Sequence, residues 1–365
     1  MGLEIEYQAL GDGPALVDRS YRALLEVEGR DRAAWLHNLT TNQVKNLGQG
    51  DGNYAFVLNV QGRILFDVNL LVRADSIWLD LDRCFLDTAK KHFAKYIITE
   101  DVAVVDRTDE FARFGLVGRQ ASTVLADLGA ANAAAMPALG QAIFEWSNPS
   151  RERERPDNQY RDSHGAVQVA AAVTMGLLRH DFCGPFSVEL FVPRDRAAEF
   201  RAALIEKHRA IPVSNEAVQV RRIEAGIPWP GHEITDDYLP AETRQLERAV
   251  SYQKGCYLGQ EVVERMRSRA VVARQLVGLR LDTSPRPVGS DEPTKEGGSE
   301  GRAEGRPQLL DSDGKPVGTV TSACNSIALN SPIALAYVKT ALSAPATALT
   351  VEGVSAKIVD LPFQR

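Results

Sequence analysis

The chain has 365 residues, 44% apolar and 25% charged, a balance that excludes global disorder. At this length one ordinary core is too small, so two or three domains are expected. A formal net charge of −6 argues against a protein that coats nucleic acid through bulk charge, and the sequence has neither a secretory signal at Met1–Tyr7 nor an apolar run long enough to span a bilayer, so it reads as cytoplasmic.

In chain order, the first recognisable unit is an apolar run, Ala23 to Val27, then Gly29, then Trp35, Leu36 and Leu39 at helical spacing. It reads as strand, glycine turn, helix. Three runs of strand length follow, Tyr54 to Asn59, Ile64 to Val72 and Ile77 to Leu81, with a turn at Gln61-Gly62; they predict an antiparallel meander. From Thr88 to Ile97, lysines alternate with Phe93 and Ile97 as in an amphipathic helix. Then the first unit recurs. Phe114 to Val117 leads to Gly118, and Val124, Leu125 and Leu128 stand at the offsets that Trp35, Leu36 and Leu39 keep from Gly29. We infer a duplicated βα unit and an α+β architecture with related halves. Residues Arg151 to Asp162, which include Arg-Glu-Arg-Glu-Arg-Pro, read as a solvated loop.

Lys254-Gly255-Cys256-Tyr257-Leu258-Gly259-Gln260-Glu261 precedes a helix that carries Val262, Val263 and Met266 on one face and Glu261 one turn before Arg265. Beyond it, Ser284 to Pro307 is rich in Pro, Gly, Ser and Glu and has no aromatic residue, so it reads as a flexible insertion. Leu276 to Leu281 before the insertion, and Leu309-Leu310, Val317 to Ser322, Ile333 to Val338, Leu349 to Glu352 and Ala356 to Asp360 after it, are short strands that suggest a small β-barrel or sandwich.

The four cysteines, Cys84, Cys183, Cys256 and Cys324, have no metal-site spacing, and no metal is expected. Only Cys256 has a chemically suggestive context. It stands ahead of a helix N-terminus and two residues from Lys254, and both favour a thiolate. A buried structural thiol is the open alternative from the residues alone.

The octapeptide resembles the Lys-Gly-Cys-(Tyr/Phe)-x-Gly-Gln-Glu signature of the YgfZ-type folate-binding proteins, which belong to the aminomethyltransferase-like superfamily and are linked to iron–sulfur cluster assembly or repair and to tRNA modification. Leu36 to Asn42, Leu58 to Asp67, the Arg-x-Glu-x-Gly at Arg222 to Gly226, and the tail segments at Gly314 to Ser322 and Ile333 to Val338 resemble other stretches of that superfamily, so the likeness covers nearly the whole chain.

The resemblance implies a glycine-cleavage T-protein-like α+β region of duplicated halves around a central cavity over residues 1–270, and a C-terminal β-barrel over 271–365 interrupted by the insertion at 284–307. It implies tetrahydrofolate or a one-carbon derivative as cofactor. Glu224 would accept from the pterin edge, with Arg222, Asp67, Asn59, Tyr257 and Gln260 as further cofactor-binding residues, and Cys256 would be the nucleophile with Lys254 activating its thiol. The implied partners are folate and iron–sulfur enzymes or assembly proteins, with no membrane and no direct nucleic-acid contact.

One departure matters. Glycine-cleavage aminomethyltransferases carry Asp-Asp where this chain has Phe66-Asp67, which favours the accessory-protein reading over the alternative, a tetrahydrofolate-dependent aminomethyltransferase. His37 and His232 read as ordinary polar residues, His232 in a loop that could edge the cavity. Arg265, Arg267, Arg269 and Arg274 read as a solvated basic face.

Overall fold

The computed structural model describes residues 2–147, 172–183, 186–269, 272–283 and 305–364. After a lead-in helix α1 (Leu3–Gly11) and strand β1 (Ala15–Asp18), the first half runs β2 (Arg22–Glu28), α2 (Arg32–Leu39), β3 (Gly52–Leu58), β4 (Ile64–Val72), β5 (Ile77–Asp82), α3 (Leu86–Lys95) and β6 (Ala103–Asp106). The second half repeats that order with β7 (Phe111–Val117), α4 (Ala121–Asp127), β8 (Gln141–Trp146), β9 (Val173–Arg179), β10 (Ser187–Pro193), α5 (Ala197–Glu206) and β11 (Ile211–Val213).

The sheets repeat as well. Their strand orders are β3-β4-β5-β2-β6 and β8-β9-β10-β7-β1-β11, identical except that β1 is inserted between β7 and β11. The duplication expected from two glycine turns therefore extends over both halves. Gly29 and Gly118 have φ of 100° and 102°, and a Cβ on either would overlap a backbone carbonyl, that of Asp101 or of Gly13. Only glycine fits a turn that is both left-handed and pressed against another chain segment.

Alternation along the strands gives each sheet two unlike faces. The outer face of the first sheet packs Phe66, Val68 and Leu70 under Trp35, Leu36, Leu39 and Phe93 of α2 and α3; that of the second packs Leu116, Val188 and Leu190 under Leu125, Phe200 and Leu204 of α4 and α5. Each fully buried side chain of this kind contributes roughly 1.5–3 kcal/mol. The inner faces meet through a small apolar patch of Leu24, Leu71, Leu178 and Phe191 and, beside it, through charged residues.

Three more helices, α6 (Asn215–Glu224), α7 (Leu246–Ala249) and α8 (Gln260–Arg269), lead to β12 (Arg274–Leu281), β13 (Gln308–Leu310), β14 (Pro316–Ser326), β15 (Ser331–Lys339), β16 (Ala348–Val351) and β17 (Val354–Val359). These six strands close into a barrel in the order β12-β15-β14-β13-β16-β17, so neither edge is left unpaired. The structure thus chooses the barrel over the sandwich. The loop at 151–162 and residues 284–304 of the insertion lie outside the described residues. The end of the insertion is docked, because Arg306 donates to the carbonyl oxygens of His232 at 3.0 Å and Gly231 at 3.2 Å. Among the described residues no helix is long and apolar enough to cross a membrane.

Candidate functional site

On β4, Phe66 points into the helix-covered core, where its ring meets Phe93 edge-on with centroids 5.8 Å apart, so its neighbour Asp67 points to the inner face. The Phe66 departure therefore falls on the core side and takes nothing from the inner face. Asp67 Oδ2 accepts from the Tyr54 hydroxyl at 2.8 Å, while the buried Oδ1 has no partner among the described residues. Burial pushes the Asp67 carboxyl up, only partly opposed by Arg22, the Tyr54 bond and Arg248, whose guanidinium lies 4.0 Å from the Tyr54 ring centroid. A carboxyl with a raised pKa and one free oxygen is suited to taking up and returning a proton.

The cysteine motif is wedged between the C-terminus of α2 and the β3–β4 hairpin. The Leu258 amide donates to the Asn38 carbonyl at 3.0 Å, and Gly259, at φ 82°, lies so close that a Cβ there would stand 2.8 Å from the Asn59 carbonyl oxygen. Tyr257 packs in the apolar cluster that contains Tyr54, Phe56 and Leu58, with its hydroxyl unpartnered among the described residues. Gln260 Oε1 accepts from the Tyr257 amide at 3.3 Å, and Asn59 Oδ1 accepts from the amides of Gln61 at 2.9 Å and Arg63 at 3.0 Å. Asn59 and Gln260 thus shape the hairpin turn and the start of α8. Cys256 is exposed at the surface of this assembly.

Lys254 has a different role from the one the sequence suggests. Its ammonium is buried and donates to the carbonyl oxygens of His37 at 2.5 Å, Thr40 at 2.5 Å and Asn42 at 2.8 Å. No N–H is left for the Cys256 sulfur, so thiol activation gives way to capping the negative end of α2. Burial and then Lys45 pull the ammonium down to about 7. Against them stand the three carbonyls, which only a charged ammonium, with three N–H groups, can satisfy together.

Glu224 and Arg222 also depart from expectation. Glu224 Oε2 accepts from the Tyr7 hydroxyl at 2.6 Å, and Oε1 from the Ser326 hydroxyl at 2.6 Å and the Ala328 amide at 3.1 Å. The carboxylate is taken up between α1, α6 and the barrel, not held open toward the space between the halves. Arg222 donates to Gln219 Oε1 at 2.7 Å, to Glu233 Oε2 at 2.8 Å and to Ser322 Oγ at 2.6 Å. The Arg-x-Glu pair is a clasp that fastens α6 to β14, Arg222 at Ser322 and Glu224 at Ser326.

What the sequence reading missed lies where the two sheets face each other. Arg22 pairs with Asp80 at 2.7 Å, Arg113 bonds Asp80 at 2.8 Å and also Glu189, and Arg19 bonds Glu189 at 3.2 Å; Asn69 adds a 2.8 Å bond to Asp80. All five charged groups are buried. Burial acts to raise both carboxyls, but the arginines outweigh it and hold Asp80 down at about 2 and Glu189 well below its ordinary value. The signal for this lattice was a single charge inside an otherwise apolar strand, as in Ile77-Trp-Leu-Asp80-Leu and Ser187-Val-Glu189-Leu-Phe. Asp80, His180 and Glu189 bring one ligand atom each within 4.8 Å of one another, but a cation there would have to displace the arginines that already neutralise the two acids.

These features place the chain by family. Residues 2–144 match the family model described as the GCVT N-terminal domain, and residues 274–364 match the one described as the glycine cleavage T-protein C-terminal barrel domain. Both halves of that architecture are present in their expected order, and the chain belongs to the glycine-cleavage T-protein-like superfamily. Among its relatives, an aminomethyltransferase of Symbiobacterium thermophilum is 26% identical over 377 residues, covering 99% of this chain and 88% of its own. A putative chloroplast transferase of Arabidopsis thaliana is 24% identical, covering 97% and 72%. The crystal structure of the glycine cleavage system aminomethyltransferase T from Bartonella henselae superposes with a TM-score of 0.80 at 21% identity, over 100% of this chain and 90% of that one, and so shares the fold.

Proposed function

We propose that the chain is a tetrahydrofolate-dependent one-carbon transferase of the aminomethyltransferase type, with the folate lodged beside Asp67 between the two α+β halves. The observation that carries this reading is the buried Asp67 oxygen without a partner among the described residues, next to a tyrosine that fixes the other oxygen. A pterin edge offers the N–H that such an oxygen lacks. The relatives named aminomethyltransferase, which align with nearly the whole chain, support the same class. Bound tetrahydrofolate supplies an amine nitrogen that accepts the one-carbon unit. This chain's part is to hold the pterin through Asp67 and Tyr54 and to move a proton at Asp67 Oδ1.

Calorimetric titration with tetrahydrofolate, with turnover of an aminomethylated lipoyl donor, tests the reading. Asp67→Asn is expected to fold at least as well as the parent, since it mimics the protonated form that burial favours, and to lose turnover by roughly 10²-fold or more. A wild-type protein that binds no reduced folate at millimolar concentration ends it.

A second reading rests on a different observation. Cys256 is exposed, whereas burial raises the Cys183 and Cys324 thiols to about 12. An accessible sulfur in the Lys-Gly-Cys motif supports a role beside iron–sulfur enzymes or their assembly proteins, as the YgfZ-type resemblance implies. Alkylation with iodoacetamide followed by peptide mapping should label Cys256 well before Cys183 and Cys324. A Cys256→Ala strain with undiminished activity of its cluster-dependent enzymes would count against this role.

A further inference from the structure

We propose that a cavity of about 230 Å³ at the outer end of the inter-sheet charge lattice binds the phosphate group of a small phosphate ester. Its charged lining residues are Arg22, Arg113, Arg194, Arg201 and Asp18, of which Arg22 is already paired with Asp80 and Arg194 donates to the carbonyl oxygens of Asp109 and Phe111. Neither Asp67 nor Tyr54 lines it, which separates it from the folate site proposed above.

In the buried lattice Arg19, Arg22 and Arg113 make direct ion pairs with Asp80 and Glu189, and the buried Asp82 and Asp67 act on Arg22 from further off. Arg113 is the member with unused donors: its side chain is 3% exposed, its Nη2 serves both acids, and its Nε and Nη1 have no acceptor among the described residues. Its face is already used, stacked 3.8 Å from the Phe191 ring centroid, so the missing partner is an acceptor in the guanidinium plane. A buried cation with vacant N–H groups beside a cavity calls for an anion.

The donor count favours a phosphate over a carboxylate. Three vacant N–H groups on Arg113 and the exposed Arg201 at the mouth outnumber what two carboxylate oxygens accept comfortably, whereas three phosphate oxygens with a charge near −2 match them. Asp18 is the one carboxylate in the lining, and its Oδ1 is held by the Ser20 amide at 2.8 Å. Phe111 supplies an apolar wall for the organic stem of the ester.

The test uses the full chain without folate, so that its failure leaves the folate reading standing. Thermal unfolding is followed in 10 mM inorganic phosphate, acetate or chloride at matched ionic strength. For a millimolar site, phosphate should raise the midpoint by about 2 °C over chloride, with acetate giving less than half of that. Arg201→Glu, a surface change away from the lattice, should keep the chloride midpoint and abolish the phosphate shift. Absence of a phosphate shift in the wild type, an equal shift with acetate, or a full shift in Arg201→Glu would each overturn the proposal.

Discussion

Replacing Glu224 separates a folate ligand from a structural clasp. Glu224→Ala removes the acceptor of three hydrogen bonds, from the Tyr7 and Ser326 hydroxyls at 2.6 Å and the Ala328 amide at 3.1 Å, while the backbone bond from the Phe363 amide to the Glu224 carbonyl at 3.0 Å is untouched. The Ser326 hydroxyl and the Ala328 amide lose their acceptor and Tyr7 loses its bond to Glu224, at roughly 1 kcal/mol or more each, so the loss of stability should be about 3–5 kcal/mol. With a urea m-value of about 3 kcal/mol/M, the midpoint falls by roughly 1 M or more. Glu224→Gln keeps Oε1 as acceptor for Ser326 and Ala328 and turns its amide toward the Tyr7 oxygen, so it should lose only about 1 kcal/mol. Urea unfolding gives the stabilities, and calorimetry below the transition gives the affinity of the folded protein for tetrahydrofolate, which should change less than twofold in both variants. An unchanged urea midpoint with a tenfold or greater loss of folate affinity would refute the clasp and restore Glu224 to the pterin.

Lys254→Met deletes three charge-assisted bonds to carbonyls in and just after the last turn of α2 but also relieves a buried ammonium, so a net loss of about 2 kcal/mol is expected; a higher urea midpoint than wild type would show that desolvation had won. Gly118→Ala forces a Cβ against the Gly13 carbonyl at φ 102° and should cost at least ~2 kcal/mol by the same measurement, whereas Gly255→Ala, with open space around its Cβ, should be near neutral. Acid should weaken the fold through Asp80 and Glu189. Their folded pKa values are depressed, so their contribution is complete above the ordinary values of 3.8 and 4.5 and is lost as pH falls from there toward about 2. A urea midpoint flat between pH 5 and pH 2 would contradict this, and Arg113→Met should shift the loss to higher pH.

Local sequence determined a good deal of this protein. Each of the three meander strands, the helix of Lys90 and Phe93, the helix after the cysteine motif with its Glu261–Arg265 pair, and the six barrel strands was legible because periodicity and turn residues are properties of neighbours along the chain. So was the duplication, since Gly29 and Gly118 are each demanded by a left-handed turn before a helix. The cysteine motif likewise announced a glycine-lined loop at a helix start.

Partnership was decided only in three dimensions. Whether Glu224 meets a ligand or Ser326, 102 residues away, and whether Lys254 meets its neighbour's sulfur or the carbonyl of His37, 217 residues away, depends on contacts that no spacing encodes. The same holds for Asp67, whose value follows from a strand alternation that buries Phe66 on the other face, and for the lattice of Arg22, Arg113, Asp80 and Glu189, four isolated charges in separate strands. A charged side chain takes its chemistry from whatever replaces water around it, and the burial of two sheets against each other is what sets that replacement.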